Sequence, residues 1–207
     1  MSVFTRPLVA LSLTAPDTEL LQYLRLVLAL GKCEQVRFAH VVPTEGKAPG
    51  SAEIEALRQR LRAEVNEHCA SASEVAAYDV VHGPRLDRLL ELAVENKSDV
   101  IVLGHRRARS GSRSLARRLA MIAPCSVWLV PEGSPKRLDR ILTPIDFSSD
   151  SADALSLSTS IAAAHGSDKC LALHVYFDES TVRYDAHVIE VQGNAQAAFD
   201  KFRAQVD

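Results

Sequence analysis

The four cysteines of this chain, Cys33, Cys69, Cys125 and Cys170, are scattered, with no C-x-x-C pair and no regular spacing to histidine. That argues against a disulfide framework and a zinc site, and leaves buried thiols as the ordinary reading. Apolar runs are short, and none approaches the roughly 18 residues of a membrane span. The start, MSVFTRPLVALSL, lacks a signal-peptide layout. The expected compartment is the cytoplasm, with no membrane partner. Also missing are G-x4-G-K-S/T, G-x-G-x-x-G, the G-x-S-x-G elbow and H-E-x-x-H. These absences disfavour a dedicated hydrolase or dehydrogenase, so no catalytic residue and no metal ligand is assigned.

What is present is a globular composition, 47% hydrophobic and 24% charged over 207 residues, enough for one full core and part of another. The net charge of −2 is uneven: residues 1–132 hold 17 Lys+Arg against 15 Asp+Glu, and residues 133–207 hold 7 against 11. Neither half has the bulk charge of a nucleic-acid binder. Locally, no carboxylate occurs from Val100 to Pro131, while Arg106, Arg107, Arg109, Arg113, Arg117 and Arg118 all do. That makes a concentrated positive patch.

The patch lies in the stretch on which the chain is organised, Asp99 to Pro131. Val100 to Leu103 reads as a buried strand stopped by Gly104. An arginine-rich loop, a helix opening at Gly111-Ser112-Arg113-Ser114 and a second buried strand, Ser126 to Val130, follow. In open α/β sheets ligands sit beyond the carboxyl ends of strands, where a helix N-terminus offers unpaired N–H groups to an anion. The loop is a candidate phosphate site. A simple solvated face is the favoured reading of the arginines, since Arg106, Arg109 and Arg113 fall outside the apolar stripe of Leu115, Leu119 and Ile122; an anion site on Ser112, Ser114 and the nearby arginines comes second and partner recognition third.

Upstream, strands and helices alternate. Leu8 to Leu11 is a strand, and a helix starts at Pro16-Asp17 and ends at Gly31. Val36 to Val42 is a strand, Ser51 caps a long helix, Glu74 to Val81 is a strand, and Pro84 opens a helix at its first position. This order predicts a mostly parallel sheet with helices on both faces.

After Glu132-Gly133-Ser134-Pro135-Lys136 the pattern restarts, with a strand over 141–147, a helix over Asp150 to His165 and a strand over 170–176. His174 lies 134 residues after His40 (174 − 40), and LHVY answers AHVV. The chain reads as a tandem duplication. The predicted organisation is a domain over 1–132, a linker over 133–138 and the N-terminal half of a second copy over 139–207. That half is expected either to continue in a longer protein or to be completed by another chain. His40 and His174 sit at equivalent strand positions, where packing and catalysis are the two readings and packing is favoured.

ILTPIDFSSDSADAL, the LHV strand, VVHGPRLDRLLELAVENKSDVIVLG and the GS-to-APCSVWLVP segment together resemble the universal stress protein family in its tandem form. The resemblance implies a five-stranded parallel sheet of the adenine-nucleotide-binding α/β type, order 3-2-1-4-5, and a non-enzymatic role in stress response. It also implies, for members that hold ATP, an aspartate ending the first strand, a valine after the second and G-x2-G-x9-G-S/T after the fourth. Val41, Gly104 and Gly111-Ser112 match that pattern, and Asp146 supplies the aspartate of the second copy. Ser12 stands where the first copy's aspartate should be, Arg107 replaces the middle glycine, and Gly104 to Gly111 spans 7 residues where the pattern has 13. The resemblance therefore offers Ser12, Val41, Gly104, Gly111, Ser112, Arg113, Ser114 and Asp146 as nucleotide-binding positions, with ATP as the cofactor and a degenerate phosphate loop in the first copy. Asp146 has a second reading as a cap of the following helix. The alternative function is a scaffold that pairs through the 125–130 edge strand, as a homodimer or between tandem copies, with Trp128 at the interface.

Overall fold

A computed structural model describes residues 3–44, 48–105, 115–167, 169–175, 193 and 196–204. The chain divides into two compact units, Met1–Arg137 and Leu138–Asp207.

The first unit runs β1 (Pro7–Leu11), α1 (Pro16–Leu28), β2 (Val36–Val42), α2 (Ser51–His68), β3 (Ala76–His82), α3 (Arg85–Glu95), β4 (Val100–His105), α4 (Leu115–Ile122) and β5 (Ser126–Pro131). All pairings are parallel and the strand order is β3-β2-β1-β4-β5, as the resemblance implies. The central strands carry continuous apolar runs, Leu8–Leu11 and Val100–Leu103, because helices cover both faces of the sheet. On one face Leu8, Ala39, Ile101 and Leu103 pack with Leu86 and Leu89 of α3 and Leu119 of α4. The alternate residues of the strands face the side covered by α1 and α2. Asp99 fixes the entry to β1 by accepting from Thr5 Oγ1 at 2.9 Å and from the Arg6 N–H at 3.0 Å.

Several expected boundaries shift, each for a local reason. Gly104 does not stop β4, which continues to His105 and pairs Gly104 with Val130. Ser51 is the first helical residue of α2, and its cap position is Gly50, with no side-chain cap. Pro84 is likewise the cap of α3, at φ −61° and ψ 123°, an extended conformation that proline adopts as readily as a helical one. A 3-10 turn over Ala70–Val75 takes the residues expected to begin β3. The chain leaves α3 through Lys97, at φ 51°. There the Lys97 N–H donates to Val94 O at 3.0 Å and the Ser98 N–H to Ala93 O at 2.9 Å, the paired bonds of a left-handed helix end.

The second unit contains β6 (Ile141–Pro144), α5 (Ser149–Ala164) and β7 (Cys170–Leu173), with β6 and β7 in a two-stranded parallel sheet. Its strands are shorter than the expected 141–147 and 170–176. Residues 196–203 carry the helix expected from about Asn194, as far as they are described. Ser148 caps α5 by accepting from the Ser151 N–H at 3.2 Å.

Internal details of the first unit recur in the second, 134 residues on. Leu8 pairs with Arg37 and Leu142 with Leu171. His40 Nδ1 meets Leu11 O at 3.0 Å, and His174 Nδ1 meets Ile145 O at 2.8 Å. Leu13 and Phe147 are both left-handed without being glycine, at φ 57° and 66°. One matched position differs sharply in environment: Leu8 is 0% exposed and Leu142 is 55% exposed, on a sheet face shared with Leu171 and Leu173.

Candidate functional site

The strand order reverses direction between β1 and β4, so the connections from their carboxyl ends leave to opposite sides and open a crevice there. A cleft of about 670 Å³ occupies it. Its floor is apolar, from Ala39, Val41, Leu89 and Leu103, and its polar groups come from the turn of β1 into α1 and from the ends of β4 and β5 and the start of α3.

Ser12, Val41 and Gly104, three of the positions expected from sequence, meet in this cleft. Gly104 is exposed, and a Cβ built on it would come no closer than 3.7 Å to Leu20 Cδ2, an ordinary contact. The glycine thus leaves open floor in the cleft, which a larger side chain would fill. Gly111, Ser112, Arg113 and Ser114, and with them most of the arginine-rich loop, lie outside the described residues.

Ser12 works as part of a small network. Its Oγ is 2.6 Å from Thr14 Oγ1 and donates to Asp17 at 3.1 Å, while the Thr14 N–H donates to the same carboxylate at 3.2 Å. The turn through left-handed Leu13 makes this possible by folding the strand end back toward the first turn of α1. Arg60 Nη2 holds the Leu13 carbonyl at 2.9 Å. Asp17 is 7% exposed and lines the cleft.

A further wall comes from the segment after β5, expected from sequence to be linker. It turns at Gly133, whose φ of 75° suits glycine, and folds over α1. The Gly133 N–H donates to Glu19 Oε2 at 3.0 Å, and Lys136 Nζ donates to Gln22 Oε1. Lys136, His105 and Arg85 give the cleft its described basic groups.

Sequence reasoning assigned no site role to Asp17, Thr14, Glu19 or Lys136. A signal existed only for the first two: Ser12, Thr14 and Asp17 have the spacing of Asp146, Ser148 and Ser151.

Asp146 belongs to the second unit. The Ser148 Oγ and N–H donate to its Oδ1 at 2.5 Å and 3.0 Å, and its own N–H reaches Ser151 Oγ at 3.4 Å. The bonds from the Ser148 hydroxyl and N–H, with a further one from Ser151, hold the Asp146 carboxyl down to about 2. It supports the start of α5 through Ser148, which occupies the cap position in place of Asp146.

The thiols of Cys33, Cys69 and Cys125 are pushed up chiefly by burial, with the Asp99 charge adding to the effect at Cys33 and Cys125. Among the described residues no group of three His, Cys, Asp or Glu side chains is placed to hold a metal ion. No described helix is long and apolar enough to cross a membrane. Trp128, expected at an interface, packs edge-on against Phe4 and Tyr23 of its own unit, with ring centroids 5.9 and 6.5 Å away.

The chain is similar in structure to a universal stress protein from Archaeoglobus fulgidus, 18% identical, matched over 95% of this chain and 74% of that one with a TM-score of 0.68. A universal stress protein in complex with cAMP is 16% identical over 64% of this chain and 100% of that one, with a TM-score of 0.51. A second Archaeoglobus fulgidus universal stress protein, in complex with dAMP, is 17% identical over 62% of this chain and 98% of that one, with a TM-score of 0.46. Curated proteins offer no match. The sequence model of the universal stress protein family spans residues 5–131, the whole of the five-stranded sheet, and the chain belongs to that family.

Proposed function

We propose that the first unit is a binding module that holds an adenine nucleotide in the cleft at the ends of β1 and β4, without turning it over. The observation that carries this reading is the placement of Ser12, Val41 and Gly104 around one cleft of about 670 Å³ at the switch point of the sheet. The apolar floor suits a purine face, and the hydroxyl and carboxylate groups at the β1 end suit the polar edge of a nucleoside. Lys136, His105 and Arg85 suit its phosphates. The structurally similar universal stress protein in complex with cAMP supports the ligand class. Calorimetric titration of ATP and cAMP into the full chain, with and without magnesium, tests the proposal. Saturable binding that Gly104→Leu abolishes in a folded variant is expected. Absence of binding to the folded wild-type chain overturns it.

In this reading the second unit is the opening half of a second universal stress protein copy. The matched register, the matched His–carbonyl bonds and the matched left-handed residues at one spacing of 134 support that reading.

A second reading, self-association through β5, is favoured by its place at the edge of the sheet, where it has a strand neighbour on one side only among the described residues. Sedimentation equilibrium decides it: a dimer supports edge pairing, and a monomer at every concentration removes it.

A further inference from the structure

The two units place the same polar groups at matched positions, but exchanged. At the strand end the first unit has Ser12 and the second has Asp146; five residues later, in the first turn of the helix, the first has Asp17 and the second has Ser151. Both arrangements close on themselves. Ser12 Oγ donates to Asp17 at 3.1 Å, and the Asp146 N–H reaches Ser151 Oγ at 3.4 Å. The intervening hydroxyl, Thr14 or Ser148, is engaged in each. Each unit keeps one carboxylate and two hydroxyls at the mouth of its first strand. A carboxylate at both positions would set two negative charges about 3 Å apart, so an aspartate at one position favours an uncharged residue at the other.

The exchange moves the charge as well as conserving it. Asp146 is exposed, whereas Asp17 is 7% exposed and forms part of the cleft wall. Two of its hydrogen bonds come from Ser12 and Thr14. A carboxylate has about four acceptor sites, so capacity remains for a bound molecule.

We propose that Asp17 is a ligand-binding residue of the first unit: it replaces the strand-end carboxylate and accepts a hydrogen bond from an uncharged donor of the nucleoside, a ribose hydroxyl or the purine amine. Ser12 is then a positioning residue that orients Asp17 rather than a vestige of a lost site. This inference rests on the nucleotide reading above. It gives a role to the serine that stands where the family pattern has the first copy's aspartate.

The test is titration of ATP, 2′-deoxy-ATP and inosine triphosphate into the full chain and into Asp17→Ser, Asp17→Asn and the double variant Ser12→Asp/Asp17→Ser. Circular dichroism checks folding, and Asp17→Asn preserves size and an acceptor for Ser12 should Asp17→Ser fold poorly. The expected result is at least tenfold weaker ATP binding in both single variants, a factor worth about 1.4 kcal/mol, and recovery in the double variant, which has the second unit's arrangement. Selective loss of affinity for 2′-deoxy-ATP assigns the donor to the ribose, and selective loss for inosine triphosphate assigns it to the amine. Wild-type affinity in both single variants overturns the role of Asp17 and leaves the nucleotide reading standing. Loss in the single variants without recovery in the double overturns the exchange. A folded wild-type chain that binds none of the three overturns both.

Discussion

His40 donates its Nδ1 proton to the carbonyl of Leu11 across the β1–β2 pair at 3.0 Å, tying the last residue of β1 to its neighbour just before the chain turns into the cleft. His40→Ala leaves that buried carbonyl without the ring and opens a small void. The expected loss is about 1–3 kcal/mol of stability. Urea unfolding followed by the fluorescence of Trp128, the sole tryptophan and a member of the first unit, measures it.

Lys97 occupies at the end of α3 the conformation that Gly166 occupies after α5, with φ 51° against 68° and the same pair of closing bonds. Glycine is at ease there and lysine is not. Lys97→Gly should therefore stabilise the first unit, by about 0.5–1 kcal/mol, visible as a higher urea midpoint at unchanged slope.

Asp146 gives the second unit an acid-sensitive helix start. Its carboxyl is held near 2, below an unfolded value of about 3.9. The associated stabilisation is complete above about pH 4 and is lost as the pH falls through about 2. Carboxyl carbon NMR should show Asp146 titrating near 2, and Ser148→Ala should move it up.

The Cys69 thiol is fully buried and its ionisation is pushed up by that burial. At pH 8 in native buffer it should react with a thiol reagent only at the rate of opening, and at full rate once urea unfolds the first unit. Mass mapping of the modified cysteine distinguishes it from Cys33, Cys125 and Cys170, which are partly exposed.

The alternation of apolar runs and helical stripes in the sequence, together with the family resemblance, predicted the five parallel strands and their order. Ser12, Val41 and Gly104 came from the family resemblance, and they line one cleft because strand ends at a switch point converge. The other walls were not, because they depend on contacts far apart in sequence: Glu19 meets Gly133, and Gln22 meets Lys136, across 114 residues each. Nothing local in Glu132-Gly133-Ser134-Pro135-Lys136 distinguishes a segment pinned to α1 from a solvated linker. Asp17 was readable as a helix start, and only a left-handed Leu13 turns it toward Ser12. Ser51 and Gly104 show the limit of residue-by-residue rules. A serine before a helix need not cap it when Gly50 takes that position, and a glycine inside a strong strand need not end it.

The open face of β6 and β7 has a colloidal consequence. Leu142, Leu171 and Leu173, with Val175 at 79% exposure just beyond the strand, put a row of branched aliphatic side chains in water where the first unit buries Leu8. Such a row is adhesive, and salts that strengthen apolar burial make it more so. Sulfate should salt this chain out well before a surface of its modest net charge would require.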